Sequence, residues 1–219
     1  MIESATPEEL LGFPLTEQER KYAPDRLYYK GDPELLKSGY RVSVVGTRKA
    51  SPDGRYQAAE IAQHLVAEGF VVVSGLALGI DTAAHQAAIE AGGSTIAVLG
   101  TPVDQFSTAA NRQLQETIGS DHLLVSQFAP KSRVGRWNFP ARNRTMALLS
   151  DATIIVEISG SSGTEHQGWE AIRLGRIVML CQSVVDHESA SWPQKMIEYG
   201  AVPLVRDLDL QQVLSELPI

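Results

Sequence analysis

Short apolar runs alternate with longer stretches of mixed polarity from residue 41 onward. The runs are rich in valine and isoleucine and apolar at successive positions, which is typical of strands buried on both faces of a parallel sheet. The predicted strands are residues 41–46, 70–75, 94–100, 122–126, 152–158, 176–182 and 201–205. The predicted helices are residues 52–68, 81–91, 109–118, 141–149, 164–174, 192–199 and 208–217. This alternation predicts an α/β fold with a doubly wound, mostly parallel sheet.

The first 40 residues lack this alternation. They contain helix-cap residues, prolines and tyrosines, but only short helical patches. The chain is therefore expected to comprise an N-terminal extension, residues 1–40, packed on a sheet domain formed by residues 41–219.

Composition is that of an ordinary soluble globular protein, with 43% hydrophobic and 21% charged residues in a chain of 219. The sequence has no run of 18 apolar residues, and its first residues do not resemble a secretory signal. Its single cysteine, Cys181, lies in an apolar run and is predicted to be a small core residue. A reducing cytoplasm is the expected compartment.

Charge is unevenly distributed along the chain. The formal net charge of −7 argues against a protein that coats nucleic acid non-specifically. Yet no carboxylate lies between Asp121 and Asp151, an interval that includes the stretch WNFPARNR at residues 137–144. Such a segment favours contact with an anionic ligand, because a solvated surface loop normally mixes both signs of charge. Its basic residues are Lys131, Arg133, Arg136, Arg142 and Arg144.

Three loops that follow predicted strands are rich in glycine and small polar residues, and ligands of open parallel sheets bind at this edge. In the first loop, Gly46 permits a turn, Thr47 and Ser51 offer hydroxyls, and Arg48 and Lys49 add positive charge beside a helix N-terminus. These groups indicate an anion site. A capped helix with surface cations explains them equally well.

The second loop contains Ser74, Gly75 and Gly79, and Asp81 is placed to cap the helix that follows. Exposed backbone N–H groups of this loop are candidates to cradle a phosphate, although glycines needed only for tight packing give the same pattern. His85, one helical turn after Asp81, is expected to be structural.

The third loop, residues 160–164, is composed of Gly and small hydroxyl residues and runs into a helix. One such loop is weak evidence, but three at one edge of a sheet predict a phosphate-binding edge. The candidate residues here are Ser162, Gly163 and Thr164.

The stretch WNFPARNR lies at the same edge. Arg142 and Arg144 are suited to bind phosphate, with Asn143 between them, and either Trp137 or Phe139 is suited to stack on a base. An aromatic residue beside a proline is also typical of a packed helix entry.

Several motifs together resemble the DprA/Smf family of bacterial DNA-processing proteins. They are VVGTRKASPDG, VVVSGLALGIDTAAHQAAIEAGGSTIAVLGT and NFPARNRTMALLSDATIIVE, and the resemblance covers about residues 40–182. It implies an extended Rossmann-like fold, single-stranded DNA bound in a basic pocket, a homodimer, and DNA recombination with RecA as a partner. The family acts in natural transformation, but that role for this chain does not follow from the resemblance. No cofactor or metal is implied.

The resemblance also implies the position of the DNA pocket. The family's G-S/T-R turn falls on Gly46, Thr47 and Arg48, and its glycine loop on residues 74–81. Its F-P-x-R-N-R segment falls on residues 139–144, which include Phe139, Arg142, Asn143 and Arg144.

This sequence departs from the family pattern in ways that bear on function. The stretch SGTEHQ places Glu165 and His166 where apolar residues are usual, and FSTAAN retains Asn111 without the preceding tyrosine and proline. No winged-helix module follows the sheet domain in this sequence, so a minimal, divergent member is expected.

Three functions remain open at this point. The leading hypothesis is a non-enzymatic protein that binds single-stranded DNA across the strand ends. The alternative is a nucleotide sensor or a phosphoribohydrolase-like enzyme, in which Glu165 and His166 would act on a bound ribose. The third is a scaffold, which would not respond to loss of Arg142 in a ligand assay.

Overall fold

A single sheet of nine strands extends through the residues that the structure, a computed structural model, describes: 1–159 and 163–204. The strands are β1 (Glu3–Ala5), β2 (Leu27–Gly31), β3 (Arg41–Val45), β4 (Val71–Ser74), β5 (Thr95–Val98), β6 (Leu123–Ser126), β7 (Ala152–Ile155), β8 (Ile177–Cys181) and β9 (Val202–Leu204). The helices are α1 (Pro7–Leu11), α2 (Glu17–Arg20), α3 (Pro52–Ala67), α4 (Ile80–Glu90), α5 (Arg112–Asp121), α6 (Asn138–Leu148), α7 (Gly163–Arg173), α8 (Gln182–Val185) and α9 (Trp192–Glu198), and a 3₁₀ turn covers Pro33–Leu36.

The strand order creates one topological switch point. Across the sheet the order is β1-β2-β6-β5-β4-β3-β7-β8-β9, and the strands from β6 to β9 are parallel. The chain proceeds outward from β3 through β4 and β5 to β6, then returns to place β7 on the other side of β3. Ligands of doubly wound sheets bind beyond the carboxyl ends of the strands at such a reversal.

The strands are buried on both faces, as their apolar runs predict. In β3, Val44 faces one core cluster and Val45 faces another, so successive side chains point to opposite faces. Helices α3 and α4 supply apolar residues to the first cluster, whereas α6, α7 and α9 supply them to the second. The doubly wound, Rossmann-like fold predicted from the sequence is confirmed.

The first 40 residues form strands that the sequence does not predict. Strand β2 pairs antiparallel with β6 and β1 pairs antiparallel with β2, so both extend the parallel sheet at one edge. The division of the chain at residue 40 stays a prediction. The predicted helix 208–217 and the last residue of the predicted strand 201–205 lie outside the described residues.

One predicted helix begins earlier than the polarity pattern indicates. Helix α6 begins at Asn138 rather than at residue 141, so Phe139 and Pro140 lie in its first turn. The Asn138 side chain accepts a hydrogen bond from the Gly135 N–H at 3.2 Å and donates to the Gly100 carbonyl at 3.0 Å. These bonds fix the entry to the helix beside β5.

No helix in the described part of the chain is long and apolar enough to cross a membrane.

A buried histidine connects α4 to the sheet, in agreement with the expected structural role of His85. Its Nδ1 lies 2.7 Å from the hydroxyl of Thr95, which itself donates to the Val72 carbonyl at 2.8 Å. Because the Thr95 proton is used, His85 donates from Nδ1. Burial lowers the pKa of His85 to about 3.

This low pKa predicts acid sensitivity of the fold. Between about pH 6.5 and pH 3 the unfolded chain binds a proton at His85 that the folded chain does not, so stability is full above that window and falls as the pH is lowered. We expect His85 to account for a loss of about 2 kcal/mol in the free energy of unfolding between pH 7 and pH 5. Urea unfolding of His85→Gln should show a correspondingly flatter pH profile. His64→Gln, at an exposed position of α3, is the control and should keep the wild-type profile.

Candidate functional site

A cavity of about 710 Å³ opens at the switch point, beyond the carboxyl ends of β3 and β7. Nine of the fourteen residues predicted to bind DNA or its phosphates line it, so the first loop and the starts of α6 and α7 meet at this edge. The nine are Gly46, Thr47, Arg48, Lys49, Phe139, Arg142, Asn143, Gly163 and Thr164. Ser162 lies outside the described residues, and the other four are Ser74, Gly75, Gly79 and Arg144.

The turn after β3 supplies the exposed cations of the cavity. Thr47 is buried, and its N–H donates to the Glu157 carbonyl at 2.8 Å, which fixes the turn to the strand end of β7. The Thr47 hydroxyl bonds to Ser159 and also accepts from the N–H of Lys49. Arg48 and Lys49 are both exposed, and the Arg48 guanidinium lies 5.2 Å from the centre of the Phe139 ring. Two exposed positive charges are therefore held on a turn that is hydrogen-bonded to the chain just after β7.

The N-terminus of α3 does not contribute a free anion site, contrary to the prediction for this loop. The Ser51 hydroxyl caps the helix by accepting from the Gly54 N–H at 2.9 Å. The Glu157 carboxylate accepts from the Ser51 N–H at 3.0 Å and so occupies this helix terminus itself. Any external anion is left with the side chains of Arg48 and Lys49.

In the second loop, two backbone amides are already used. The buried carboxylate of Asp81 accepts from the N–H groups of Gly75 and Ala77 at 3.2 and 3.3 Å. Asp81 is therefore not the helix cap that the sequence suggested, because Gly79 occupies the cap position of α4. The buried Ser74 hydroxyl donates to the Val44 carbonyl. The loop also supports the turn after β3, because the Ile80 N–H donates to the Thr47 carbonyl at 3.3 Å.

Arg142 forms part of the buried floor of the cavity. Its side chain lies against the backbone of Gly75, where an added Cβ would come within 1.3 Å of Nη1, and Nη1 donates to the Val98 carbonyl at 3.1 Å. Burial raises the pKa of Asp81, and the nearby Arg142 guanidinium opposes that rise. Burial lowers the pKa of Arg142, which Asp81 opposes in turn. Arg142 and Asp81 thus compensate each other's charge across Gly75.

The remaining wall joins α6 to α7. The buried Asn143 side chain donates to the Gly163 carbonyl at 2.8 Å, which ties the start of α7 to α6. Phe139 presents its ring between this wall and Arg48. The wall therefore combines an aromatic face with a fixed polar edge, a combination that is usual in ligand-binding sites.

Arg144 lies away from the cavity. Its guanidinium contacts the Glu170 carboxylate at 3.4 Å and lies 5.4 Å from the centre of the Tyr22 ring. Arg173 binds the same carboxylate at 2.9 Å. The sequence placed Arg142 and Arg144 together, but in a helix positions two apart face different directions.

The charge of the cavity lining is mixed rather than uniformly basic. Arg48, Lys49 and Arg142 contribute positive charge, and Asp81 and Glu165 contribute negative charge. Since Asp81 and Arg142 compensate each other, the exposed positive charge lies on the side of the turn after β3. Glu165 and His166 line the cavity from α7. Sequence reasoning missed Ser159, Gln167 and Trp192, which also line the cavity. Only Ser159, directly after a predicted strand, carries a signal in the sequence.

Known proteins resemble this chain over most of its length. The sequence profile of the DNA recombination-mediator protein A family matches residues 8–218. The DNA processing protein DprA of Streptococcus pneumoniae is 44% identical over 179 residues, which cover 82% of this chain and 63% of that protein. Its solved structure superposes with a TM-score of 0.85 at 35% identity, covering 100% of this chain and 75% of the solved one.

A second solved structure shows the same fold. It is that of DNA processing protein A from Helicobacter pylori, described for its single-stranded DNA binding mode, and it covers 99% of this chain and 98% of its own. Its TM-score is 0.81 at 24% identity. This chain spans less than two thirds of the length of the streptococcal relative. By its sequence profile and its relatives, the chain belongs to the DprA/Smf family of DNA-processing proteins.

Proposed function

We propose that this protein binds single-stranded DNA at the cavity, with the DNA phosphates held by Arg48 and Lys49. The observation that carries the proposal is the hydrogen-bonded turn after β3, which presents these two exposed cations beside the Phe139 ring. Cations hold a phosphate backbone and an aromatic face holds a base without regard to sequence. The relatives named for DNA processing support the same function.

The uneven distribution of charge around the cavity is expected to orient the DNA strand. Phosphates are expected on the side of Arg48 and Lys49, because Glu165 on α7 repels them. Asn143 and Thr164 are expected to contact sugar or base. Arg142 acts beneath the strand as a support of Gly75, since its guanidinium is buried and already bonded.

Removal of the two exposed cations tests this proposal. The variant Arg48→Ala/Lys49→Ala is expected to bind a fluorescein-labelled oligo-dT at least about tenfold more weakly than wild type in fluorescence polarisation at moderate salt. Both side chains are exposed, so the thermal unfolding curve should change little.

The chain contains a closely matched control. Arg20 and Lys21 form the same dipeptide at another exposed place outside the cavity, so Arg20→Ala/Lys21→Ala changes the net charge equally. It should retain wild-type affinity. Equal weakening by the two double variants would show that only overall charge matters and would refute the cavity as the binding site.

A free nucleotide is the alternative ligand, and one observation favours it. Glu165 and His166 both line the cavity, whose volume of about 710 Å³ is within the usual range for small-molecule sites. A competition experiment distinguishes a free nucleotide from a DNA strand as the natural ligand. If the natural ligand is a strand, a nucleoside monophosphate should displace labelled oligo-dT only at concentrations far above that of the unlabelled oligonucleotide.

The wider biological role rests on the family alone. We propose action in DNA uptake or recombination with RecA, as a homodimer in the cytoplasm. Co-sedimentation of this protein with RecA on single-stranded DNA, and its mass in solution by light scattering, test these two associations.

A further inference from the structure

Trp137 is a large aromatic side chain left at the surface beside the cavity. It directly precedes α6, and 65% of its surface is exposed. Phe139, two residues later, lines the cavity. The site described above does not use Trp137, although an indole at the edge of a nucleic-acid site is suited to stack on a base.

The indole ring is fixed although it is exposed. Its ring packs edge-to-face on the buried Phe128, with 5.4 Å between ring centres and 78° between planes. The Gly135 backbone lies against the indole, because a Cβ added at Gly135 would come within 2.8 Å of Trp137 Nε1. Gly135 is itself held by the side chain of Asn138. A ring held this way loses little side-chain freedom when a ligand stacks on it.

The surroundings of Trp137 are basic. Lys131, Arg133 and Arg136 are all exposed in the same loop, which contains no carboxylate. Asp104, from another loop, accepts from the Lys131 N–H. A protein partner would require a mixed or acidic surface to match this loop, whereas a phosphate backbone matches its charge and a base matches its ring.

We propose that Trp137 is a second base-stacking platform, which receives a nucleotide of the single strand as it leaves the cavity. The cavity and Phe139 hold the first nucleotides, and Trp137 extends the binding site along the basic loop. This inference rests on the proposed function, since it requires a strand bound at the cavity.

Strand length separates the two sites. With oligo-dT of about 4, 8 and 16 nucleotides, Trp137→Ala should leave the shortest strand bound nearly as in wild type. It should weaken the longer ones by about 5- to 100-fold, the usual loss of one stacked base. Trp137→Phe keeps an aromatic face and the contact with Phe128, and should recover most of that loss. Tyr199→Ala, at another exposed aromatic position (70% exposed), is the control and should have no effect.

Abasic positions in the longest oligonucleotide test whether Trp137 contributes to affinity by stacking on a base. Wild type should lose affinity when the bases beyond the cavity are removed, whereas Trp137→Ala should be indifferent to their removal. Equal affinity of wild type and Trp137→Ala at every length overturns the platform and leaves the cavity intact. Failure of wild type to bind any of the strands overturns the platform together with the proposed function.

Discussion

Replacing Arg142 by methionine is expected to lower the free energy of unfolding by about 3–5 kcal/mol, because it leaves the Asp81 carboxylate buried without its compensating charge. The guanidinium also packs on Gly75 and donates to the Val98 carbonyl, and methionine cannot replace that hydrogen bond. Urea unfolding at pH 7 measures the change. Oligo-dT binding by this variant should decline together with its folded fraction.

Arg144 provides the matched control on the same helix. Its carboxylate partner, Glu170, keeps two contacts of 2.9 Å to Arg173 after Arg144 is removed. Arg144→Met should therefore cost less than about 1 kcal/mol. The double variant Arg142→Met/Asp81→Leu lacks the unpaired carboxylate, so its free energy of unfolding should be higher than that of Arg142→Met. Similar losses for Arg142→Met and Arg144→Met would contradict the assignment of Arg142 to the buried floor.

Gly79→Ala is expected to cost roughly 2–5 kcal/mol and to weaken oligo-dT binding by the protein that remains folded. Gly79 has φ 83° and ψ −123°, a conformation that side chains with a Cβ rarely adopt. An added Cβ would also lie 2.3 Å from the Thr47 carbonyl oxygen. Alanine therefore displaces the turn that presents Arg48. Urea unfolding and polarisation measured on the same preparation separate the two effects.

Gly92 lies just beyond the other end of α4. Comparison with Gly92→Ala separates the cost of backbone strain from the cost of the steric clash at Gly79. Gly92 also has a positive φ, 75°, but a Cβ added there would meet nothing within 4 Å. Gly92→Ala should cost about 1 kcal/mol from backbone strain alone and should leave DNA affinity unchanged. If Gly79→Ala and Gly92→Ala lost the same free energy of unfolding and had the same DNA affinity, the loop after β4 would not be coupled to the turn after β3.

Local polarity accounts for most of the fold because the parallel strands are buried on both faces. Their apolar runs predict β3 to β9 well, with strand ends that differ by a few residues. Strands β1 and β2 escaped prediction because β1 has three residues and β2 reads LYYKG, which has no clear alternation. The early start of α6 depends on Asn138 bonding to Gly100 across the fold, which a local pattern does not contain.

The candidate site was predictable in position but not in the use of its polar groups. Glycine-rich loops after β3 and before α7 indicated the correct edge of the sheet. Whether an amide is free depends on where nearby carboxylates fold: Asp81 accepts from the Gly75 and Ala77 N–H groups, and Glu157 accepts at the N-terminus of α3 from far along the chain. A sequence pattern does not show which way a carboxylate side chain turns, so it cannot distinguish an occupied amide from a free one.

The salt dependence of oligo-dT binding, measured on wild type and on Arg48→Ala/Lys49→Ala, tests most directly whether phosphates lie on the turn after β3. The logarithm of the wild-type association constant should fall linearly with the logarithm of salt concentration. The slope of the double variant should be shallower by about 1.4, since each phosphate contact to a single strand contributes about 0.7. Parallel lines for the two proteins, or a wild-type affinity indifferent to salt, would contradict the account.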